Sequence, residues 1–159
     1  MNIFFLDTDP ETAAVMQCDK HIVKMPLETA QMLCAVYHRY GEPAPYKLTH
    51  ANHPSTRWAG DSAENYRWLW DHGVALCEEY THRYGKTHAC RKILEAVQFP
   101  PAGIPDIGFT VVPQAMPDQY KNVNPIQAYR NYYINEKHSI ATWKNRQKPT
   151  FMEKSSCNA

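Results

Sequence analysis

The chain has 159 residues, which is enough for one domain that buries its own hydrophobic core. Apolar residues make up 43% of it, so we expect a globular protein and not a disordered one. The formal net charge is only +1 and points to no class of partner. The apolar run at residues 3–6 ends at Asp7 and has no basic start. We therefore expect no signal peptide, no membrane-spanning segment and an intracellular location.

Cysteine and histidine are both frequent, but neither forms a recognisable metal-binding pattern. The cysteines are odd in number and show no Cys-x-x-Cys spacing: Cys18, Cys34, Cys77, Cys90 and Cys157. A reduced, intracellular protein is the simplest interpretation. The closest histidine pair, His50 and His53, has no Cys or carboxylate at ligand spacing. We therefore predict neither a metal ion nor another cofactor.

The first helix is predicted from its cap. Asp9 suits the N-cap, and Pro10 suits the first helical position. We expect one long helix that kinks at Pro26, because proline removes a backbone donor, and that continues to about Arg39. Gly41 then supplies the stop. The apolar residues before the cap should pack against the helices as a short extended segment.

A narrow polar stripe runs along the second half of this helix. At about 100° per residue, four polar side chains fall within a sector about 80° wide: His21, Lys24, Glu28 and Gln31. Apolar residues are expected to fill much of the remaining surface: Ile22, Val23, Leu27, Ala30 and Leu33. An acid, an amine and an imidazole on one face suit proton transfer. The alternative is structural, with a buried salt bridge between Lys24 and Glu28 and with His21 packed in the core.

The stretch 46–54 has neither helical nor strand periodicity and is dense in hydrogen-bonding groups. Its polar side chains are Tyr46, Lys47, Thr49, His50, Asn52 and His53. A loop of this composition between two long helices is a candidate substrate-binding site. The alternative is an ordered connection whose polar groups cap the ends of helices.

The clearest helical pattern follows a short helical turn at residues 55–60. Asp61 or Ser62 can cap this helix, and Gly85 can end it. Its core-facing positions follow the helical spacing: Tyr66, Leu69, Gly73, Cys77, Tyr80 and Tyr84. Aromatic side chains could stack on nucleic-acid bases, but at this spacing we expect Tyr66 and Trp70 to belong to the core.

The rest of the chain alternates short helices with irregular segments. We expect a helix over residues 86–97, an irregular segment up to Pro117, and a last helix that begins at the cap Asn124 and ends near Trp143. The prediction is an all-α, mainly helical single domain over residues 1–145 with long irregular connections. A basic C-terminal tail over residues 146–159 should follow it.

The C-terminal part of the chain is locally basic. From residue 121 onwards, seven Lys and Arg residues stand against two acids. Such an excess is compatible with binding to phosphates. We predict contacts with the DNA backbone from five of the basic residues: Lys121, Arg130, Lys137, Lys144 and Arg146. The alternative is a solvated basic tail without a partner.

Three short strings connect the chain to a known family. They are Cys-Asp-Lys-His at 18–21, Thr-His-x-Asn-His-Pro at 49–54 and Pro-Gln-Ala-Met-Pro at 113–117. With Glu28 seven residues after His21, the sequence resembles the phage pyrimidine-dimer DNA glycosylases, which are endonuclease V-like, over most of its length. The resemblance implies a helical fold, a DNA substrate with a flipped pyrimidine, Glu28 as the catalytic carboxylate, and a location in the host cytoplasm.

The start of the chain departs from that family. The glycosylases attack the sugar with the α-amine of an N-terminal threonine, whereas this chain begins Met1-Asn2. Lys24 and Lys20 are therefore the candidate amines, with His21 beside them as a third catalytic candidate. Two other functions stay open: a transferase that modifies DNA bases in phage thymine hypermodification, and a non-catalytic module that binds nucleic acid or a host protein.

Overall fold

The structure, a computed structural model, describes residues 1–153, and within them it is built from helices without any strand. The six α-helices of this part are α1 (Pro10–Met16), α2 (Asp19–Arg39), α3 (Pro54–Asp61), α4 (Ala63–Tyr84), α5 (Arg91–Ala96) and α6 (Pro125–Tyr132). A 3₁₀ turn at Asp118–Tyr120 precedes α6, and a π-helical turn at Tyr133–Lys137 follows it. The predicted mainly helical fold is confirmed.

The first helical segment is interrupted, so the prediction of one continuous helix from residue 10 to 39 is wrong. Asp9 caps α1 as expected, accepting a hydrogen bond from the backbone of Thr12. Gln17 and Cys18 are then extended, and the chain re-enters a helix at Asp19. Tertiary hydrogen bonds hold this break, since the Gln17 amide contacts the ring of His72, 2.9 Å away.

Helix α2 passes through Pro26 without interruption and ends before Gly41, which has a φ of +76°. One flank of its predicted apolar surface is open to solvent, because Val23 and Leu27 are 47% and 40% exposed. These two apolar side chains therefore lie at the protein surface and not in its core. The exposed flank lies beside the polar stripe, so this part of α2 forms the surface of the molecule.

Helix α4 packs against both α1 and α2 and forms the centre of the core. Ser62 caps it and Gly85, with a φ of +69°, ends it, as predicted. Tyr66, Leu69 and Cys77 are buried as expected, whereas the predicted core residues beyond them are only partly buried: Tyr80 and Tyr84, together with Trp70 on the flank. Gly73 lets α2 approach closely, since an added Cβ would lie 2.8 Å from a methyl group of Thr29.

The last two helices are shorter than predicted. Helix α5 covers only residues 91–96 of the expected 86–97, and α6 with its π-helical turn ends at Lys137, not near Trp143. Tertiary contacts explain the early end of the last helix. The indole of Trp143 donates to the carbonyl of Met16, and the Lys144 backbone donates to Asp19. These bonds hold the segment after Lys137 against the junction of α1 and α2.

A buried ionic network joins that junction to the end of α4. The guanidinium of Arg83 is fully buried and donates to Glu79, to Asp19 and to the carbonyl of Val15. Arg146 completes the network with two hydrogen bonds to Glu79, of 2.8 and 3.1 Å. The network therefore fastens three separate parts of the chain to one another.

Part of the predicted C-terminal tail packs on this body. Phe151 and Met152 are buried in the core, and Arg146 is held by Glu79. Residues 154–159, which include Lys154 and Cys157, lie outside the described residues. The division between a domain at 1–145 and a basic tail stays a prediction.

Candidate active site

Glu28 is a largely buried carboxylate that three nitrogen atoms surround. Its Oε1 accepts a 3.0 Å hydrogen bond from the backbone N–H of Asn2 and lies 3.5 Å from the amino nitrogen of Met1. Its Oε2 lies 3.4 Å from Nζ of Lys24, one turn earlier on α2. Glu28 is only 9% exposed, so its contacts with the start of the chain are screened little by solvent. The arrangement brings one acid and two amines together.

The side chain of Asn2 positions the start of the chain against Glu28. Its Oδ1 accepts from the backbone of Phe4, and its Nδ2 donates to the carbonyl of Ala115, both at 2.9 Å. Phe4 takes a φ of +55°, which is uncommon outside glycine and fits a backbone that turns sharply here. Sequence reasoning missed Asn2 and Ala115 as site residues. The signal was the string at 113–117, which contains Ala115.

His21 lies behind this cluster as a buried imidazole. Its ring stacks on Phe4 at a centroid distance of 4.2 Å, and its Nδ1 forms a 2.5 Å hydrogen bond with the hydroxyl of Tyr133. Burial, aided by the positive charges of Lys137 and Lys24, lowers the pKa of His21 from 6.5 to about 4. The ring is therefore neutral at pH 7 and supports Phe4 by packing.

The remaining polar residues of the α2 stripe differ in exposure. The side chain of Lys24 is 70% exposed and reaches Glu28 from the solvent side. Lys20 is exposed as well, and no contact with Glu28 brings it into the cluster of amines around that carboxylate. Gln31 is half-buried on the turn after Glu28. Of the polar residues on this face of α2, Lys24 and Glu28 are therefore in contact, and Gln31 lies beside them on the next turn.

His53 joins the loop 46–54 to the same site. It caps α3, where its Nδ1 accepts a 3.1 Å hydrogen bond from the backbone of Ser55. Burial lowers the pKa of His53. The positive charges of the N-terminal amino group and of His50 lower this pKa further, whereas the carboxylate of Glu28 acts in the opposite direction. His53 is therefore within electrostatic reach of both the amine and the acid of the cluster.

The other predicted substrate-binding residues of the loop separate into three groups. His50 stays near His53 and forms a 2.9 Å hydrogen bond with Thr49. Tyr46 instead points into the protein, because its hydroxyl contacts Sγ of Cys90 at 3.4 Å. That contact, together with burial, raises the pKa of Tyr46 to about 12. Lys47 is exposed, and Asn52 lines a separate cavity at the C-terminal half of α2.

The five basic residues predicted to contact DNA also divide into groups. Arg130 and Arg146 are held by the protein itself, Arg130 by the carbonyl of Leu6 and Arg146 by Glu79. The three lysines remain at the surface: Lys121 near Asp118, Lys137 over the ring of Tyr132, and Lys144 over the ring of Tyr84. The lysines are thus better placed for phosphates than the two arginines.

The fold and the site together describe a helical protein whose candidate chemistry is an acid paired with amines. The sequence model of one family, described as pyrimidine dimer DNA glycosylase, matches residues 1–92, which is more than half of the chain. The chain therefore belongs to the pyrimidine dimer DNA glycosylase family. The matched region contains Glu28, both amines and His53, and membership implies a DNA substrate.

Neither the search of curated proteins nor that of solved structures found a match. None of the helices in residues 1–153 has the length and apolar character that a membrane crossing requires.

Proposed function

We propose that the protein is a DNA glycosylase that acts on a flipped, damaged or modified pyrimidine, with Glu28 as the central catalytic carboxylate. The observation that carries this proposal is the buried position of Glu28 between the amino group of Met1 and that of Lys24. A carboxylate beside a nucleophilic amine can stabilise the positive charge that develops on the sugar when the base leaves.

The reaction begins when the neutral amine attacks C1′ of the deoxyribose. The bond between C1′ and the pyrimidine nitrogen breaks, and the base leaves with the bonding electrons and takes up one of the two protons of the amine. The sugar ring then opens at the bond between C1′ and O4′, and O4′ takes the second proton that the amine loses. The product is an imine between the enzyme and C1′, next to the carboxylate of Glu28.

Of the two amines beside Glu28, we assign the attack to the α-amino group. The glycosylases that the sequence resembles attack with an α-amine, and here the α-amino group lies 3.5 Å from Oε1 of Glu28. The two residues also differ in exposure, because the side chain of Met1 is 2% exposed whereas that of Lys24 is 70% exposed. Lys24 then serves to hold and orient Glu28.

The histidines of the loop 46–54 suit the recognition of the flipped base. Burial and nearby positive charges favour a neutral His53, which offers one donor and one acceptor nitrogen. Its Nδ1 already accepts from Ser55, which leaves Nε2 to donate. A pyrimidine edge presents carbonyl oxygens that such a donor can bind. Thr49, His50 and Gln31 complete this proposed surface.

Borohydride trapping on duplex DNA that contains an abasic site tests the proposal. Borohydride reduces the imine to a stable amine, and peptide mapping by mass spectrometry then assigns the cross-link to the N-terminal peptide or to Lys24. We expect a cross-link on the N-terminal peptide, cleavage of a glycosidic bond in ultraviolet-irradiated DNA, and trapping that persists in Lys24→Gln. The intact mass of the purified protein identifies its first residue. A protein that neither cross-links nor cleaves a glycosidic bond would contradict the glycosylase assignment.

A further inference from the structure

A second polar cavity lies at the C-terminal half of α2, apart from Glu28. It has a volume of about 260 Å³, and its polar lining consists of His38, Arg39, Asn52, Thr56 and Arg57. No carboxylate within residues 1–153 lines it. At roughly 30 Å³ per water molecule, the space is large enough for a phosphodiester group with part of its sugar.

Two of the lining groups are left without a partner by the protein. The guanidinium of Arg57 forms no ion pair with any residue in 1–153. The hydroxyl of Thr56 is buried and has no hydrogen-bond partner within the same residues, and Thr56 is only 4% exposed. Buried polar atoms are nearly always hydrogen-bonded, so this unpaired hydroxyl, on a residue that lines the cavity, can serve a group bound there once the side chain turns toward it.

Arg39 adds a second positive charge that is already held in place. Its NH1 donates to Asp61 at 3.1 Å and to the carbonyl of Arg57 at 3.1 Å. The same nitrogen lies over Gly60, where an added Cβ would approach it to 2.9 Å. Two guanidinium groups, an amide and a hydroxyl form a lining of hydrogen-bond donors. Phosphate oxygens, which only accept, match such a lining.

The spacing between this cavity and Glu28 fits a DNA strand. Ala35 and Arg39, which line the cavity, are seven and eleven residues after Glu28 on the same helix. At 1.5 Å per residue the separation is about 10 to 16 Å. One strand of duplex DNA advances about 3.4 Å per nucleotide along the duplex axis, so with α2 aligned on that axis the cavity would lie about three to five nucleotides from the reacting sugar.

We propose that this cavity binds one phosphodiester group of the DNA backbone, about three to five nucleotides from the flipped pyrimidine. Arg57 and Thr56 are its principal ligands. The inference rests on the proposed function and assigns Asn52 to this cavity and not to the base. Its role is to fix the register of the DNA strand relative to Glu28, because backbone contacts position a protein on its duplex.

A scan with neutral phosphate analogues tests the proposal through binding, not activity. Duplexes carry an uncleavable tetrahydrofuran abasic analogue and a single methylphosphonate that is moved one nucleotide at a time. We expect wild-type protein to bind about tenfold more weakly when the analogue occupies one position within the stated range, as for removal of one charge-assisted hydrogen bond. Arg57→Gln should bind the unmodified duplex about tenfold more weakly and show no further decrease at that position. Arg67→Gln, an exposed arginine of α4 beside a different cavity, is the matched control.

The variant Thr56→Val tests whether the cavity binds a phosphate or whether Arg57 only adds positive charge to the surface. The change removes an unpaired buried hydroxyl, so the melting temperature should stay level or rise while DNA affinity falls several-fold. Unchanged affinity in Thr56→Val, or Arg57→Gln that binds like wild type, would overturn the proposal. The cavity would instead be a site for a free nucleotide if wild-type protein bound thymidine monophosphate tightly and Arg57→Gln lost that binding while it kept its affinity for duplex DNA. This result would overturn the proposal. Absence of all DNA binding by wild-type protein would instead refute the proposed function itself.

Discussion

The backbone N–H of Asn2 donates a 3.0 Å hydrogen bond to Oε1 of Glu28, 26 positions later in the chain. This bond brings the start of the chain to the middle of α2 and places the Met1 amino group 3.5 Å from the same oxygen. A stripe of polar residues on one helix thereby becomes a site with two amines. The proposed chemistry depends on this contact between the two segments.

Replacing Glu28 by Gln should lower turnover by about 10²-fold or more, the usual contribution of a general acid or base. The free energy of unfolding should fall by no more than about 2 kcal/mol, because the Gln amide can still accept from Asn2. Cleavage of the glycosidic bond and thermal melting on the same sample measure both effects. Glu78→Gln, on the exposed side of α4, is the control. A decrease of about 3–5 kcal/mol with undiminished turnover would make Glu28 a structural residue.

Replacing Asn2 by Ala should impair the reaction without removing a reacting group. The side chain bridges Phe4 and Ala115, so its removal releases the start of the chain from its position at Glu28. We expect kcat to fall more than KM changes, since misplacement affects chemistry more than DNA binding. Asn2→Asp keeps the acceptor for Phe4 and removes the donor to Ala115. Equal activity in Asn2→Ala and wild type would show that this bridge does not position the amine.

Replacing Arg83 by Met should destabilise the fold by about 3–5 kcal/mol, because it removes the fully buried charge that pairs with two carboxylates and leaves Glu79 with only the partly exposed Arg146. Arg83 is 1% exposed and pairs with both Glu79 and Asp19. Burial raises the pKa of Glu79, but hydrogen bonds from Arg146 and Arg83 outweigh it and hold the pKa below its ordinary value. Chemical denaturation measures the destabilisation. Arg67→Met removes an exposed ion pair and should cost less than about 1 kcal/mol.

The free energy of unfolding should fall as the pH decreases from about 6.5 to about 4 because of His72. Burial lowers the pKa of this residue from 6.5 to about 4, although the backbone carbonyls of Pro10 and Ile3 act in the opposite direction. In this range the unfolded chain binds a proton that the folded chain excludes, so acid favours unfolding. Denaturation at several pH values should show a shallower dependence in His72→Gln. His138→Gln, at an exposed position, should keep the wild-type slope.

The surface lysines should contribute to DNA binding more than the arginines that the protein holds. Replacing Lys137 and Lys144 by Ala should weaken binding and reduce the slope of log affinity against log salt by about 0.9 for each phosphate that a lysine no longer neutralises. Arg130→Ala should chiefly lower stability, because this guanidinium donates to the carbonyl of Leu6. Affinity across a salt series and thermal melting separate the two effects. An unchanged salt dependence in the lysine double variant would show that Lys137 and Lys144 are solvated and do not contact phosphates.

The sequence by itself predicted the elements whose causes are local. Asp9, Ser62 and Asn124 cap helices, and Gly41 and Gly85 end them, as their backbone chemistry requires. A cap needs only a side-chain oxygen near the first turn, so it can be recognised without knowledge of the fold. The polar stripe of α2 was visible for the same reason, since helical periodicity decides which residues share a face.

Tertiary contacts decided what local rules could not. The break after Met16 and the early end of the last helix depend on partners far along the chain: His72 for Gln17, and Asp19 for Lys144. The same holds for the site, where Asn2 reaches Glu28 and Ala115 across 26 and 113 positions. Local preferences along the chain do not encode which distant groups will meet. Only the packed helices brought the amino group of Met1 to the carboxylate of Glu28.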